Sequence, residues 1–426
     1  MRIHGTVRVP GDKSISHRAL ILAAMARGTS TLTGLLDGAD VKSSARILRQ
    51  LGAELSPLRE RAAVHVRGVR FRSPRAVLDC GNSGTTARLG LGAIAGHPIR
   101  ARLTGDASLR RRPMRRVIEP LRQMGAGFVP ADADALPLRV RGGRLHGINY
   151  ASPVASAQVK SAILFAALAG RVPVTITEPW RSRDHTERLF VHLGLELHET
   201  AGAISYRPSA AAVPWFELGI PGDLSSAAFL VAAAVLAEGG ELLVEHVGVN
   251  PTRTGFLAVL ERMGAHVERV NLGGEGGEPV ADLLVRPAAL RGTEVGAAEI
   301  PSLVDEVPVL AVLASRATGE TTFREVGELR VKESNRLELV AANLRAVGVD
   351  AEVRGNDLCV RGATHPPRGR VDTARDHRLA MAFAVLGTLP GADVRLSERG
   401  SVAISYPRFF TDLRKIGDGG RGTRDE

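Results

Sequence analysis

One stretch of the sequence places polar, charged residues directly before an apolar run. It reads "RVPGDKSISHRALILAAMARG" (residues 8–28), and its polar residues include Lys13, Ser14, His17 and Arg18. Two cations and a hydroxyl at this spacing can bind a phosphate or a carboxylate. The stretch is not a P-loop, whose pattern is G-x-x-x-x-G-K-[ST], because Asp12 separates Gly11 from Lys13. The anion chemistry must therefore depend on the element that follows.

Similar polar groups recur along the chain. The residues concerned are Asn82, Gly84, Thr85 and Arg88; Ser156, Gln158 and Lys160; Asp305 and Glu306; Lys332, Glu333 and Arg336; and Asp376, His377 and Arg378. Most of them suit a small, multiply anionic, phosphorylated ligand. A pair of carboxylates beside the start of a helix is unusual, and Asp305 and Glu306 therefore indicate proton transfer. Asp12 and Asp376 are expected to cap helices. Cys80 is interpreted as a buried thiol rather than a nucleophile.

An Ala- and Leu-rich segment without a polar face follows most of these groups. Its copies are "SHRALILAAMA", "GTTARLGLGAIA", "SAQVKSAILFAALA", "DLSSAAFLVAAAVLA", "DEVPVLAVLA" and "DHRLAMAFAVLG". A helix that is apolar on all sides is buried on all sides. The N-terminal end of such a helix carries free N–H groups and the positive end of the helix dipole. We therefore expect the polar groups to lie where buried helices begin, at an anion-binding site.

A second phrase has the same period and reads as the end of an amphipathic helix followed by a capping glycine. The glycines are Gly52, Gly125, Gly194, Gly264, Gly348 and Gly417, which define six repeats of about 71 residues. β-Branched stretches such as "VPVTITEP" and "ELLVEHVGV" separate the helices. Each repeat therefore predicts roughly a βαβαββ order.

A longer internal match divides the chain into halves. "PGDKSISHRALILAA" begins at Pro10 and "PGDLSSAAFLVAA" begins at Pro221, an offset of 211 residues. The fold class is therefore α/β (α+β), with two domains of three βαβαββ repeats around buried helices, an inside-out α/β barrel. Residues 1–10 and 222–426 are predicted to form domain 1, and residues 11–221 domain 2, with the active site in the cleft between them. The N-terminal strand is expected to complete a sheet of domain 1.

Composition limits the class of partner. The net charge of +11 and the cluster "LRRRPMRR" would suit nucleic acid, but only 4% of residues are aromatic and no recognition motif is present. The two cysteines provide neither a disulfide framework nor zinc-ligand spacing. The start of the sequence lacks the apolar core of a signal peptide, and the longest apolar run is too short to span a bilayer. We expect a cytoplasmic protein that binds small molecules, with no nucleic acid, membrane or metal partner.

The assembled motifs resemble the 3-phosphoshikimate 1-carboxyvinyltransferase (EPSP synthase) family over essentially the whole length. They are "PGDKSISHRAL", "GNSGTTAR", "TGDASLRRRPM", "SAQVKSA", "RDHTE", "IPSLVDE", "RVKESNRL" and "DHRLAMAF". The resemblance implies transfer of the enolpyruvyl group of phosphoenolpyruvate to the 5-hydroxyl of shikimate 3-phosphate, with release of phosphate. It implies addition and elimination through a tetrahedral intermediate, no metal or organic cofactor, and a monomer.

The resemblance also implies roles for individual residues. Lys13 is expected to contact both substrates, Asp305 to accept the proton of the hydroxyl, and Glu333 to carry the proton at the methylene carbon. The sequence leaves open which of these three makes each transfer. The implied shikimate 3-phosphate site comprises Lys13, Ser14, Arg18, Ser156, Gln158, Ser182, Arg183, Asp305 and Lys332. The implied phosphoenolpyruvate site comprises Lys13, Asn82, Gly84, Arg112, Gln158, Arg336 and Arg378, with His377 as a further candidate.

Several positions depart from parts of the family pattern. Ile404 stands where many members have a lysine, so the phosphoenolpyruvate pocket has one cation fewer or draws it from elsewhere. Arg183 and His185 stand where other members have Lys and Tyr. Gly84 is not the bulkier residue linked in the family to tolerance of glyphosate, which competes with phosphoenolpyruvate, and sensitivity is therefore expected.

Two alternative functions remain at this point. The first is the related enolpyruvyl transfer to UDP-N-acetylglucosamine, which is disfavoured because the loop "SLRRRPM" lacks that family's catalytic cysteine. The second is a non-catalytic anion-binding protein on the same scaffold. Asp305 and Glu333 argue against it, since a protein that only binds anions gains nothing from carboxylates in its site.

Overall fold

The computed structural model describes residues 1–59, 61–200, 202–209 and 213–417. Within those ranges, every helix is too short or too polar to cross a membrane. The C-terminal sequence "GDGGRGTRDE", whose composition predicts a frayed tail, lies outside the described residues apart from Gly417.

Helices occur in every repeat of the described chain. The α-helices are α1 (Lys13–Met25), α2 (Ala39–Leu51), α3 (Gly84–Ala95), α4 (Arg115–Gln123), α5 (Ala157–Gly170), α6 (His185–His192), α7 (Leu224–Val235), α8 (Gly255–Met263), α9 (Val307–Ala314), α10 (Arg336–Ala346), α11 (His377–Leu386) and α12 (Phe409–Ile416). Short 3₁₀ helices span Leu109–Arg111, Ile300–Ser302, Gly327–Val331 and Gly400–Ile404.

Strands lie between the helices. They are β1 (Ile3–Arg8), β2 (Thr29–Thr33), β3 (Glu54–Leu55), β4 (Val64–Arg67), β5 (Leu78–Asp79), β6 (Arg100–Thr104), β7 (Gly127–Val129), β8 (Leu138–Arg141), β9 (Ile148–Ala151), β10 (Val174–Thr177), β11 (Leu197–Thr200), β12 (Ala203–Tyr206), β13 (Glu217–Gly219), β14 (Gly240–Gly248), β15 (Val267–Glu275), β16 (Glu278–Val285), β17 (Glu294–Val295), β18 (Glu320–Phe323), β19 (Ala351–Arg354), β20 (Asp357–Arg361), β21 (Arg368–Val371) and β22 (Asp393–Leu396).

The repeats fold alike. Strands β5 to β8 with α3 and α4 form one βαβαββ repeat, and its sheet has the order β5-β6-β8-β7. The first two strands are parallel because a helix crosses between them, and the hairpin adds antiparallel strands. The sheets β9-β10-β12-β11 and β17-β18-β20-β19 repeat this order. The predicted repeat architecture is confirmed for five repeats, whereas the sixth ends as βαβα with the two-stranded sheet β21-β22.

Two repeats obtain their first strand from a distant part of the chain. Strand β1 pairs in parallel with β14, with Ile3 opposite Gly240, which confirms the expected placement of the N-terminal strand. Strand β13 pairs in the same way with β2, with Glu217 opposite Thr31. The resulting sheets, β1-β14-β16-β15 and β13-β2-β4-β3, have the same order as the others.

The Ala- and Leu-rich helices are buried, as their sequence predicts. Every residue of α7 and α9 is buried, and α1, α3, α5 and α11 expose little beyond their first turn or last residues. Side chains cap five of the six N-termini by accepting from backbone N–H groups: Asp12, Ser83, Ser156, Asp223 and Asp376. The alternate helices are amphipathic and lie toward solvent.

Contacts along the backbone divide the chain into two compact domains. Domain 1 comprises Met1–Pro10, Pro221–Gly274 and the described residues from Pro279 onward, and domain 2 comprises Gly11–Ile220 with Glu275–Glu278. Two details differ from the predicted boundaries: Pro221 belongs to domain 1, and the short Glu275–Glu278 segment belongs to domain 2. Each domain has its own continuous apolar core around three buried helices.

Helices α3 and α5 approach closely at Gly92, and this gives a stability test. A Cβ added at Gly92 would lie 2.2 Å from the carbonyl oxygen of Ala162, whereas one at Gly90 would meet Ile47 Cδ1 at 3.2 Å. Gly92→Ala must push two backbones apart, and we expect it to lower the free energy of unfolding by about 1–3 kcal/mol. Gly90→Ala, on the same helix, should change it by less than about 1 kcal/mol, since alanine favours the helix. Urea denaturation measures both, and equal losses would contradict the close approach.

Candidate active site

The buried Arg18 connects the N-terminal ends of helices in domain 2. Its Nε donates to Thr186 Oγ1 at 2.7 Å, its Nη2 to Ser161 Oγ at 2.8 Å, and its Nη1 to the Ser14 carbonyl at 2.8 Å. Burial lowers the pKa of Arg18 to about 10, so the guanidinium is still charged at neutral pH. Because these three acceptors are uncharged, they hold the cation in place and leave its charge available to an anion.

Lys13 and its neighbours occupy the first turn of α1. Lys13 Nζ lies 3.3 Å from Asp40 Oδ2, at the start of α2. The Asp12 carboxylate accepts from the Ile15 N–H at 2.9 Å, so its predicted capping role is confirmed. These contacts fix the helix end and leave the Lys13 ammonium partly exposed, with 15% of its side-chain surface accessible.

His17 is fully buried in α1, between Lys13 and Arg18 in the sequence. Its Nδ1 is 2.7 Å from Ser44 Oγ, and Ser44 contacts Thr86 Oγ1 at 2.8 Å, which connects α1, α2 and α3. Burial and the charges of Lys13 and Arg18 hold the pKa of His17 well below its ordinary value. The imidazole is therefore neutral at neutral pH and adds no third charge to this turn.

Arg112 is oriented by the turn before α3. Its Nη2 donates to Asn82 Oδ1 at 2.7 Å, and its Nη1 donates to the Asn82 carbonyl at 3.2 Å. Asn82 Nδ2 in turn donates to Asp106 Oδ2 at 2.6 Å. Arg112 is itself 7% exposed. The structure therefore brings together Asn82 and Arg112, two of the residues predicted for the phosphoenolpyruvate site.

Gln158 and Gly84 lie beside a second arginine. Arg88 Nη1 donates to Gln158 Oε1 at 2.6 Å, and Gln158 Nε2 donates to Thr85 Oγ1 at 3.0 Å. A Cβ at Gly84 would lie 3.0 Å from Arg88 Nη1 and 3.4 Å from Arg112 Nη1. The absence of a side chain at Gly84 therefore leaves space in front of both guanidinium groups.

Glu178 holds the loop that carries Ser182 and Arg183. Its carboxylate accepts from the Ser156 N–H at 2.9 Å and from Ser182 Oγ at 2.8 Å. It also pairs with Lys160 Nζ at 3.0 Å. One buried carboxylate thereby positions Ser156 and Ser182, two of the residues predicted for the shikimate 3-phosphate site. The motifs gave no role to Glu178, because its role comes from contacts with Ser156 and Ser182 that the fold creates.

Lys160 differs from the sequence-based expectation. It is 1% exposed and lies 2.7 Å from Glu187 in addition to its contact with Glu178. Burial alone would lower the pKa of Lys160, but the charges of Glu187 and Glu178 raise it. Burial also raises the pKa of Glu187. The lysine therefore stabilises buried acids beneath the loop and is not exposed for a ligand.

Arg183 and His185 occupy different environments. Arg183 is partly exposed, and its charge acts on Arg18, which indicates that the two guanidinium groups are near each other. His185 is 2% exposed, and its Nδ1 lies 2.7 Å from Glu278 Oε1 within domain 2. Of these two departures from the family pattern, only Arg183 is accessible to a ligand in the described chain.

Arg336 is the centre of the cluster in domain 1. Its Nε donates to Asp376 Oδ2 at 2.8 Å, its Nη2 to Glu333 Oε2 at 2.5 Å, and its Nη1 to Asp305 Oδ1 at 3.4 Å. Burial opposes the charge of Arg336, yet Asp376 and Glu333 raise its pKa. Burial would likewise raise the pKa of Asp376, but Arg336 lowers it. The predicted catalytic pair, Asp305 and Glu333, is thus held by one guanidinium group.

Arg378 and Lys332 adjoin this cluster. Arg378 Nη1 donates to the Asp305 carbonyl at 2.9 Å, and its Nη2 lies 3.8 Å from Asp305 Oδ2. The backbone N–H of Arg378 donates to Asp376, which confirms the capping role predicted for that aspartate. Burial lowers the pKa of Lys332, although the charges of Asp305 and Glu328 oppose the shift. Arg336, Arg378 and Lys332, three of the predicted site residues in domain 1, therefore act on Asp305. A fourth, Glu333, pairs with Arg336.

The remaining sequence-derived candidates are His377, Ile404, Glu306 and Cys80. His377 is fully buried in the first turn of α11, and Ile404 is partly exposed at the end of the 3₁₀ helix Gly400–Ile404. Glu306, which was grouped with Asp305 for proton transfer, is 1% exposed and accepts from Ser225 Oγ, and its part in proton transfer stays a prediction. Burial raises the pKa of the Cys80 thiol to about 12, in agreement with an inert thiol.

Arg253 is a residue of this cluster that sequence reasoning missed. It lies in the connection from β14 to α8, 3% exposed, with its guanidinium 3.9 Å from Asp305 Oδ2 and 3.6 Å from Glu306 Oε1. A signal was available, since Arg112 occupies the connection from β6 to α4, the same place in its own repeat. Comparison of the repeats at that position would have found Arg253.

The site residues therefore occupy two places in the repeat: the first turn of a buried helix, or the connection from the second strand to the outer helix. Domain 2 gathers cations and hydroxyl groups, an arrangement that binds anions. Domain 1 gathers arginines with carboxylates, an arrangement that can both bind anions and move protons. Within the described residues, no three His, Cys, Asp or Glu side chains are arranged to hold a metal ion.

Comparison with known proteins identifies the family. Residues 1–413 match the family model described as EPSP synthase (3-phosphoshikimate 1-carboxyvinyltransferase). The chain belongs to the EPSP synthase family. A 3-phosphoshikimate 1-carboxyvinyltransferase from Thermus thermophilus is 49% identical over 416 residues, covering 97% of this chain and 96% of its own length.

Solved structures agree with this assignment. An EPSP synthase from Acinetobacter baumannii has a TM-score of 0.86 at 34% identity, covering 97% of this chain and 96% of that one. The enolpyruvyl transferase NikO from Streptomyces tendae has a TM-score of 0.77 at 18% identity, covering 98% and 95%. The second likeness establishes the shared fold alone. The predicted α/β fold class of the EPSP synthases is therefore confirmed for this chain.

The buried, neutral His17 predicts how stability depends on pH. Its folded pKa lies below its unfolded value, so acid favours the unfolded state. Stability is full at high pH and falls as the pH drops below the unfolded pKa of about 6.5. We expect His17 to account for a loss of about 1 kcal/mol in unfolding free energy between about pH 7.5 and about pH 5.5.

The measurement is urea denaturation at both pH values. His17→Asn should reduce the loss, while His266→Asn should leave it unchanged because His266 has 70% of its side-chain surface exposed. An unchanged pH dependence in His17→Asn would show that the pKa of His17 is the same in the folded and unfolded states, which contradicts the prediction.

Proposed function

We propose that this protein transfers the enolpyruvyl group of phosphoenolpyruvate to the 5-hydroxyl of shikimate 3-phosphate, giving 5-enolpyruvylshikimate 3-phosphate and phosphate. The reaction belongs to the shikimate pathway and precedes chorismate. Membership of the EPSP synthase family supports the proposal. The observation that carries it is the contact of one buried arginine, Arg336, with both Asp305 and Glu333, because an anion-binding cation beside two carboxylates suits proton transfer on an anionic substrate.

Shikimate 3-phosphate is proposed to bind mainly through residues at helix N-termini and in the loop after β10. These residues are Lys13, Ser14, Arg18, Ser156, Gln158, Ser182 and Arg183, with Asp305 and Lys332 near the reacting hydroxyl. Arg18 and Arg183 supply charge for the phosphate, and the seryl and amide groups suit a ligand rich in hydroxyls. Glu178 supports this assignment because its hydrogen bonds fix Ser156 and Ser182.

Phosphoenolpyruvate carries a phosphate and a carboxylate and needs more than one cation. The proposed residues are Lys13, Asn82, Gly84, Arg112, Gln158, Arg336 and Arg378. Arg112 is held by Asn82, and Arg336 and Arg378 are held by acids, so their positions are set before a ligand binds. The proposal requires the residue groups of both domains to act on one pair of substrates.

The addition needs two proton transfers, and the elimination must reverse the proton transfer at carbon. In the addition, Asp305 takes the proton of the 5-hydroxyl while the hydroxyl oxygen bonds to C2 of phosphoenolpyruvate. Glu333 gives a proton to C3. In the elimination, the C2–O bond to phosphate breaks, C3 returns a proton to the Glu333 carboxylate to restore the C=C bond, and the proton held by Asp305 passes to the leaving phosphate. Arg336 contacts both carboxylates and can stabilise the charge that each carries in turn. Lys13 remains a third candidate for a proton transfer.

The side chains that the mechanism needs are all supplied by the chain, and we propose that it works without a cofactor, as a monomer, in the cytoplasm. The partners are then the two small-molecule substrates.

Phosphate release from phosphoenolpyruvate tests the function. Release is expected with shikimate 3-phosphate and not with UDP-N-acetylglucosamine as acceptor. Asp305→Asn should lower kcat by about 10²–10⁴-fold with little loss of substrate binding, because it removes the base and keeps the shape. Asp350→Asn, at a side chain that is 65% exposed, should match the unaltered enzyme.

Three results would contradict the assignment. Release with the sugar nucleotide alone would mean that the acceptor is wrong. Release with neither acceptor, together with anion binding that improves in Asp305→Asn, would favour a non-catalytic anion-binding protein. Full turnover in Asp305→Asn would remove Asp305 from the mechanism.

Inhibition by glyphosate tests the environment of Gly84. We expect the unaltered enzyme to be inhibited in competition with phosphoenolpyruvate. Gly84→Ala places a methyl group 3.0 Å from Arg88 Nη1 and 3.4 Å from Arg112 Nη1, so it should weaken inhibition by at least about tenfold. Gly273→Ala, where an added Cβ meets nothing within 4 Å, is the control. Equal inhibition of all three proteins would place Gly84 outside the phosphoenolpyruvate site.

A further inference from the structure

We propose that Arg253 is a positioning residue that keeps Asp305 oriented and ionised for proton transfer. This inference rests on the proposed function, in which Asp305 accepts the proton of the substrate hydroxyl. Arg253 was assigned no role by the motifs, and it lies in the connection between β14 and α8. Three observations carry the proposal: its contacts, its burial and the charges around it.

The contacts of Arg253 join the N-terminal ends of two buried helices. Its Nη2 donates to Ser225 Oγ at 2.5 Å, and that hydroxyl donates to Glu306. The same Nη2 lies 3.6 Å from Asp223 Oδ1 and 3.6 Å from Glu306 Oε1, while Nη1 lies 3.9 Å from Asp305 Oδ2. One guanidinium group therefore ties the cap of α7 to the two acids that precede α9.

Burial separates Arg253 from a role as a substrate ligand. Its side chain is 4% exposed, whereas that of Asp305 is 16% exposed. Asp305 is the more accessible of the two, so Arg253 acts on a substrate through the carboxylate. The guanidinium is placed like Arg112 in domain 2, in the connection from a second strand to an outer helix, but here it meets acids.

The local charges make Arg253 necessary. Asp305 is surrounded by cations from several elements and by further acids beyond them. The cations that act on Asp305 are Arg253, Arg336, Arg378 and Lys332. The further acids pair with these cations and are Glu306, Glu333, Asp223 and Asp376. The charge of His377 acts on Asp376. Glu306 is fully buried; without Arg253, Asp305 would lose a cation 3.9 Å away, and the negative charge of Glu306 would act on it with less compensation. Asp305 would then take up a proton more readily.

The acid limb of the pH–rate profile tests this directly. Arg253→Met removes the charge and keeps most of the volume. We expect the acid limb of kcat to move upward by about one pH unit, and kcat below that limb to fall about tenfold. KM for both substrates should change by less than about threefold, since Arg253 is not a ligand. Arg253→Lys should restore most of the profile.

A matched control lies on the neighbouring helix α8. Arg262 pairs with Glu299 at 2.7 Å and has 39% of its side-chain surface exposed. Arg262→Met removes the same charge and should leave the profile unchanged. The proposal would be overturned if Arg253→Met had the same kcat and the same acid limb of the pH–rate profile as the unaltered enzyme. It would also be overturned if Arg253→Met raised KM and changed neither kcat nor the acid limb.

Further variants separate positioning from folding. If Arg253→Met does not fold, the comparison is made between Glu306→Gln and Glu306→Gln with Arg253→Met, in which the buried acid no longer needs a partner. An acid limb that lies higher in the double variant supports the proposal, and coincident limbs refute it. Asp305→Asn tests the proposed function separately: if it retains turnover, the role of Asp305 fails whatever Arg253 does.

Discussion

The structure depends on the burial of six helices that have no polar face. Such a helix cannot expose its sides, so its polar residues are confined to its ends, where unpaired N–H groups and the dipole favour anions. Capping by Asp12, Ser83, Ser156, Asp223 and Asp376 fixes where each of five helices begins. The side chains in the first turn of each capped helix are therefore held in fixed positions. Site geometry in each domain is therefore a consequence of core packing.

Burying charge at these ends requires compensation, and the two domains achieve it differently. In domain 2, Arg18 is held by hydroxyl and carbonyl groups, while Lys160 lies between two acids. In domain 1, Arg336 contacts three carboxylates. A cation held by neutral groups favours an anionic ligand, whereas a cation held by acids also controls when those acids are charged. This difference accounts for the proposed division between binding and proton transfer.

Much of this organisation could be predicted from the sequence because it repeats. The apolar helices and the capping glycines have a fixed period, and five of the six glycines adopt positive φ, from Gly52 to Gly348; Gly417, with φ −79°, does not. Glu178 and the buried state of Lys160 and Glu306 could not be predicted in the same way. Their roles come from contacts between distant segments, which a period along the chain does not contain. Comparison of equivalent positions between repeats would have recovered Arg253 but not Glu178.

The exchange of first strands has a consequence for synthesis of the protein. Strand β1 pairs with β14, so β1 has no partner in its own sheet until residue 240 has been made. At about 5–20 residues per second this delay lasts roughly 10–50 s. The sheet that contains β2 must likewise await β13 to gain its edge strand. Domain 2 can therefore complete its sheets while domain 1 is still being translated, and the nascent N-terminal strand must stay unpaired throughout.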